Sequence, residues 1–95
     1  MLTQEKIYTT IYKIAPKFDI EQVFLFGSYA RGDANETSDC DFRIVGGSIR
    51  DLYDIADLRL DLEEQLGKKI DLVLTKNMSE DFYNKIRDDE VQIYG

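Results

Sequence analysis

A small mixed β-sheet covered by helices, an α/β (α+β) fold, is the architecture this 95-residue chain predicts. Three observations lead there. Apolar residues recur at helical spacing near the start and through the middle of the chain, with short strand-like runs between them. The order therefore reads helix, strand, strand, long helix, strand, helix. A helical crossover joins the second and third strands, which favours parallel pairing and a right-handed connection. The first strand would then run oppositely to both.

Thr3 is placed to cap the first helix, with Glu5 in its first turn, where negative charge suits the helix dipole. Lys6 stands where a capping box would have Glu or Gln. Ile7, Ile11 and Ile14 follow at helical spacing, and Pro16 predicts an end near Ala15. Tyr8 and Tyr12, about one turn apart, fit either an exposed patch or the core. Gln22 to Phe26 reads as a short buried strand closed by Gly27-Ser28, and Asp33 to Thr37 as a turn.

A second strand spans about Asp39 to Val45 and stops at Gly46-Gly47. Its alternation turns Cys40, Phe42 and Ile44 to the core and Asp39, Asp41 and Arg43 to the other side. The long helix covers roughly Ile49 to Leu66, with Leu52, Ile55, Leu58, Leu62 and Leu66 expected to pack on the sheet and Gly67 beyond its end. Lys69 to Leu74 is the third strand. Asn77 is the expected cap of a last helix, with Glu80 at the box position and Phe82 and Ile86 as apolar contacts. Val91, Ile93 and Tyr94 fit a terminal strand or a segment packed over the core. Asp88, Asp89 and Glu90 read as a solvated turn. Nothing resembles a linker, a repeat or a second domain, so residues 1–95 are expected to be one domain.

The composition is that of an ordered protein, 43% hydrophobic and 33% charged. No apolar run is long enough to span a bilayer, so no membrane partner is expected. The lone Cys40 has no internal disulfide partner, and a reducing, cytoplasmic setting follows as the expectation. A net charge of −7 without a basic stripe disfavours nucleic acid as a partner. Histidine is absent, which removes histidine bases, metal ligands and nucleophiles.

Three acids carry the chemistry. Asp39 and Asp41, two apart on a strand, share a face. Asp71 lies near the start of a parallel neighbour, whose matching end brings it to the same rim. Three carboxylates against apolar strands repel one another and lose hydration unless a cation and a polyanion join them. Mg2+ takes oxygen ligands and shares carboxylates with phosphates, and two ions can serve the entering and leaving oxygens of an in-line displacement. Asp39, Asp41 and Asp71 are thus the candidate metal and catalytic residues. Gly27 permits close backbone approach and Ser28 can donate to a phosphate. Gly32 adds a flexible point. Arg31 fits phosphate binding or tying down an acidic loop, and Arg43 fits a balance to the acidic face.

The block GSYARGDANETSDCDFRIV, with Asp71 in KKIDLVLT, resembles the GSxARGxxxxxSDxD signature of minimal nucleotidyltransferases in the DNA polymerase beta superfamily. The resemblance spans nearly the whole chain. It implies a nucleotidyltransferase-like fold, ATP as co-substrate and Mg2+, with two ions expected. It places Gly27 and Ser28 at the triphosphate and Asp39, Asp41 and Asp71 at the metals, and Arg31 and Gly32 join the candidate nucleotide-binding residues on the residue reading above. Cys40 stands where an aliphatic residue is common, and Arg43 departs from the usual apolar continuation.

Many such small proteins resemble antitoxins of HEPN/MNT toxin–antitoxin pairs. The resemblance therefore implies AMP transfer to a HEPN-type toxin with pyrophosphate release. A noncatalytic toxin-binding antitoxin on the same scaffold is one alternative, and a small-molecule nucleotidyltransferase another. Homo-oligomer and hetero-oligomer both remain open.

Overall fold

A computed structural model describes residues 2–95. The first helix, α1 (Gln4–Ile14), starts where Thr3 Oγ1 accepts the Lys6 N–H at 3.2 Å. Pro16 opens a single 3-10 turn over Ala15–Phe18, and Asp19 in the left-handed region redirects the chain into the sheet. Strand β1 (Ile20–Phe26) starts two residues before the expected Gln22. A four-residue helix, α2 (Ser28–Arg31), leads to β2 (Cys40–Gly46). Helix α3 (Leu52–Leu66) crosses over to β3 (Ile70–Leu74), and α4 (Glu80–Ile86) leads to β4 (Val91–Tyr94). The terminal segment is thus a strand.

The sheet is mixed, in the order β3-β2-β1-β4. β2 and β3 are parallel, as the crossover requires, while β1 runs antiparallel to both β2 and β4. One face carries Val23, Leu25, Cys40, Phe42, Ile44 and Ile70 into a core shared with Ile7, Ile11 and Ile14 of α1 and Leu58, Leu62 and Leu66 of α3. The opposite face presents Phe24, Phe26, Asp41, Arg43, Asp71 and Val73, by the period-two alternation of strands. Helix α4 covers part of it, with Phe82 edge-on to Phe26 and Tyr83 over Arg43. No helix among the described residues is long and apolar enough to cross a membrane.

Four expectations need correction. Asn77 does not cap α4. It ends a 3-10 turn (Thr75–Asn77), Met78 is extended, and Ser79 Oγ accepts the Phe82 N–H at 3.1 Å. Leu52 does not pack on the sheet: it is 80% exposed, because Asp51 caps α3 through the Tyr53 and Asp54 N–H groups and only then does the helix reach the core. Arg43 does not balance the neighbouring aspartates, since Glu90 holds both sides of its guanidinium at 2.6 and 2.7 Å. Glu90 is correspondingly buried rather than solvated.

Cys40 lies fully buried on the core face. Loss of hydration, together with the charge of Asp41, pushes its thiol up to about 12. The thiolate is the reactive form, so the thiol is inert in the fold. At pH 8, DTNB should leave the native protein unmodified and react at once in urea. Fast labelling without denaturant would contradict this burial.

Candidate functional site

The pairing register assembles the site. Phe26 of β1 lies opposite Asp41 of β2, and Asp41 lies opposite Asp71 of β3. Directly opposed residues share a face, so these three side chains form a row across the end of the sheet. Desolvation is the main cause that raises the Asp41 carboxyl from 3.8 to about 6, followed by its interaction with the adjacent Asp71 carboxyl and by the charge of Asp39, with Arg31 opposing.

Asp39 stands apart. It precedes β2 by one residue, and its carboxylate lies 3.8 Å from Lys69 Nζ. Among the described residues no three acids stand close enough together to hold an ion. The expected three-carboxylate cluster is therefore two carboxylates with the third turned away. Mutual repulsion explains the separation, because a half-exposed side chain with a lysine nearby has a lower-energy alternative.

Gly27 sits directly against the pair. Its φ of 77° and ψ of −154° lie in a region almost reserved for glycine. A Cβ there would fall 2.2 Å from Asp41 Oδ2. The turn thus brings bare backbone onto a carboxylate that a cation and a phosphate could bridge. Gly27→Ala should destabilise the fold by about 1–3 kcal/mol through backbone strain alone, and a melting curve measures it. An unchanged midpoint would place the turn elsewhere.

Ser28 is the first residue of α2, half-buried immediately beyond Gly27. Gly32 ends α2 in the left-handed region, its N–H donating to Ser28 O at 3.0 Å. Arg31 is tied down: Nε donates to Asp33 at 3.1 Å and Nη1 to Asp89 at 3.3 Å, both at the surface. Those bonds raise its pKa, the Asp33 hydrogen bond most. Of its two sequence readings, the acidic-loop tie is the one realised in this state.

Sequence reasoning overlooked Lys69 as the partner of Asp39, and Phe26 and Phe82 as the aromatic wall beside Asp41. The Phe26–Phe82 rings meet edge-on with centroids 6.0 Å apart. Phe26 was discoverable, since it immediately precedes the glycine turn. Phe82 was not, because its position depends on how α4 crosses the sheet.

The donor set at the row consists of carboxylate oxygens alone. Hard oxygen donors of this kind suit Mg2+, and the raised Asp41 carboxyl marks a place where positive charge is wanted. Asp41 and Asp71 stand together where such an ion would bind, and Asp39 would join them only on leaving Lys69.

Comparison with known proteins gives concordant results. The family model described as "Polymerase beta, Nucleotidyltransferase" matches residues 9–95. A candidate protein adenylyltransferase of Methanocaldococcus jannaschii, MJ0435, is 42% identical over 72 residues, which is 76% of each chain. Protein adenylyltransferase MntA of Thermococcus cleftensis is 35% identical over 82 residues, covering 82% of this chain and 83% of that one. A crystal structure of a toxin-antitoxin with AMP-PNP superposes with a TM-score of 0.78 at 26% identity, over 99% of this chain and 74% of its own.

Proposed function

The chain belongs to the polymerase beta nucleotidyltransferase family, and from that premise we propose that it is an antitoxin that transfers AMP from ATP to a HEPN-type toxin. The observation that carries the reading is the opposed pair Asp41 and Asp71 beneath the Gly27 turn. Relatives that are protein adenylyltransferases support a protein acceptor, and the AMP-PNP held by a structural relative supports ATP as donor.

Mg2+, when bound, neutralises phosphate charge and stabilises the entering and leaving oxygens. The residues do the rest. Gly27 lets the backbone approach the triphosphate, and Ser28 donates its hydroxyl to a phosphate oxygen. Asp39 and Asp41 hold the donor side of the site, which requires Asp39 to leave Lys69 and Asp41 to be ionised, the form that its surroundings make costly. Asp71 faces the incoming hydroxyl and accepts its proton. The acceptor oxygen bonds to the α-phosphorus as pyrophosphate departs.

Intact-mass analysis of a HEPN-type partner tests this, after incubation with the protein, ATP and Mg2+. Additions matching AMP are expected with the native chain and absent with Asp39→Asn/Asp41→Asn. A neutralised, unmodified partner would instead make the chain a noncatalytic antitoxin on the same scaffold.

A further inference from the structure

Helix α3 carries apolar residues on two sides. Leu58, Leu62 and Leu66 recur every fourth residue and are buried in the core against the sheet. Leu52, Ala56 and Leu60 recur at the same spacing on the outer side, with Tyr53 beside them. Leu52 is 80%, Tyr53 81% and Leu60 61% exposed. Single exposed apolar residues are ordinary, but a stripe along about two turns of one helix marks a surface that is covered by something else. We infer that the outer face of α3 is a docking surface for a protein helix whose own apolar stripe is bordered by lysine and arginine side chains.

Charge selects that partner. Half of the acids of α3 and its cap are engaged: Asp51 caps the helix, Asp54 accepts the Arg50 N–H at 2.9 Å and Glu63 accepts the Ile70 N–H at 3.1 Å. Asp57, Asp61 and Glu64 follow one another at spacings of four and three, so they form a row along one side of the stripe. None of the three has a hydrogen-bond or ion-pair partner among the described residues, and Arg59 is the only basic residue of the helix. A basic border on an incoming helix meets this row with opposite charge, which steers the encounter and fixes its orientation. A second copy of the chain fits poorly. It brings the same three acids, one arginine to set against them and a net charge of −7.

The stripe also leads into a place for an anchoring side chain. Leu52, Ile55, Ile49 and Leu74 line a cleft of about 240 Å³ between the start of α3 and the end of β3. Its two basic residues are occupied, Arg50 with Asp54 and Lys76 Nζ with Ile49 O at 2.9 Å. An apolar side chain from the docked helix can enter there, as interface anchors enter pockets. Helix α3 packs on the core face of the sheet, whereas Asp41 and Asp71 lie on the other face. The docked helix therefore leaves the carboxylate row open, and the surface does not depend on the transfer reading.

The test is methyl NMR on the full chain, without nucleotide, following Leu52 and Leu60. The first probe is a helical peptide of the length of α3, with leucines at every third or fourth position and lysines elsewhere. A second peptide has glutamates for the lysines, and a third has alanines for the leucines. The first should move both leucine signals saturably, less tightly as salt is raised, and leave Val73 on the carboxylate face in place. The other two should leave all three signals unmoved. Tyr53→Gln/Leu60→Gln should weaken the first peptide by about tenfold or more without changing the melting temperature. Asp57→Asn/Glu64→Gln should weaken it by about threefold and flatten its salt dependence. An equal response to the alanine peptide would reduce the surface to charge alone, and an equal response to the glutamate peptide would remove the charge match; either overturns the assignment. So would a first peptide that moves neither leucine. Native chain that sediments as a dimer, with Leu60→Gln monomeric, would give the face to a second copy and overturn it as well.

Discussion

Asp41→Asn is expected to reduce AMP transfer by about a thousandfold or more while making the metal-free protein more stable at neutral pH. Both effects have one origin. Asp41 is desolvated beside Asp71, which raises its carboxyl from 3.8 to about 6. A carboxyl whose folded pKa is raised favours the fold at low pH. Its contribution is complete below about 4 and is lost as the pH rises through about 6. At pH 7 the native chain therefore carries an ionisation penalty that asparagine lacks.

Because Asp41 is half exposed, solvent screening removes part of the effect. We expect a gap of a few degrees, equivalent to about 1 kcal/mol in a domain of this size. The two melting temperatures should coincide near pH 4 and separate towards pH 7, with the variant higher. Mg2+ with AMP-PNP should then stabilise the native chain and leave the variant almost unmoved. A variant less stable than the native chain at pH 7, or a gap independent of pH, would contradict this account.

The elements that set the site's frame were legible because their signals are local or topological. Ile7, Ile11 and Ile14 mark the buried side of α1, and Pro16 marks its end. The crossover between β2 and β3 implies parallel pairing, and parallel pairing sets Asp41 beside Asp71. The failures involve competition between neighbours or contacts distant in sequence. Asn77 and Ser79 are both good caps, and the choice depends on the 3-10 turn that consumes Asn77. Leu52 fits the apolar period of α3 yet is the first residue of that helix and stands exposed to solvent. Asp39 faces Lys69 because three like charges at one rim spread apart, a result of electrostatics that strand alternation does not encode.

The Arg43–Glu90 pair was the least legible of all, and its loss should have the largest effect on stability. The partners are 47 positions apart, and each side chain is only 7% exposed. Nε and Nη2 of Arg43 donate to the two carboxylate oxygens of Glu90, while Nη1 donates to Thr75 Oγ1 at 2.9 Å. Phe24 and Tyr83 flank the guanidinium at 4.1 and 5.2 Å. Glu90→Ala would leave that buried charge without its counter-ion, at a cost of about 3–5 kcal/mol. Small domains have only about 5–15 kcal/mol in total, so much of the chain's stability would go. Urea unfolding measures the loss directly, and a change below about 1 kcal/mol would mean that the pair behaves as a surface ion pair.

Replacing both partners, Arg43→Met with Glu90→Leu, should recover most of the stability, because apolar groups of similar volume need no counter-ion. The position of the pair explains its consequence for the site. Arg43 lies two residues beyond Asp41 on β2, and Glu90 immediately precedes β4. The pair therefore fastens the last turn and α4 over the same sheet face that carries the carboxylate row. A double variant that regains its unfolding free energy but transfers AMP poorly would separate that positioning role from simple stability.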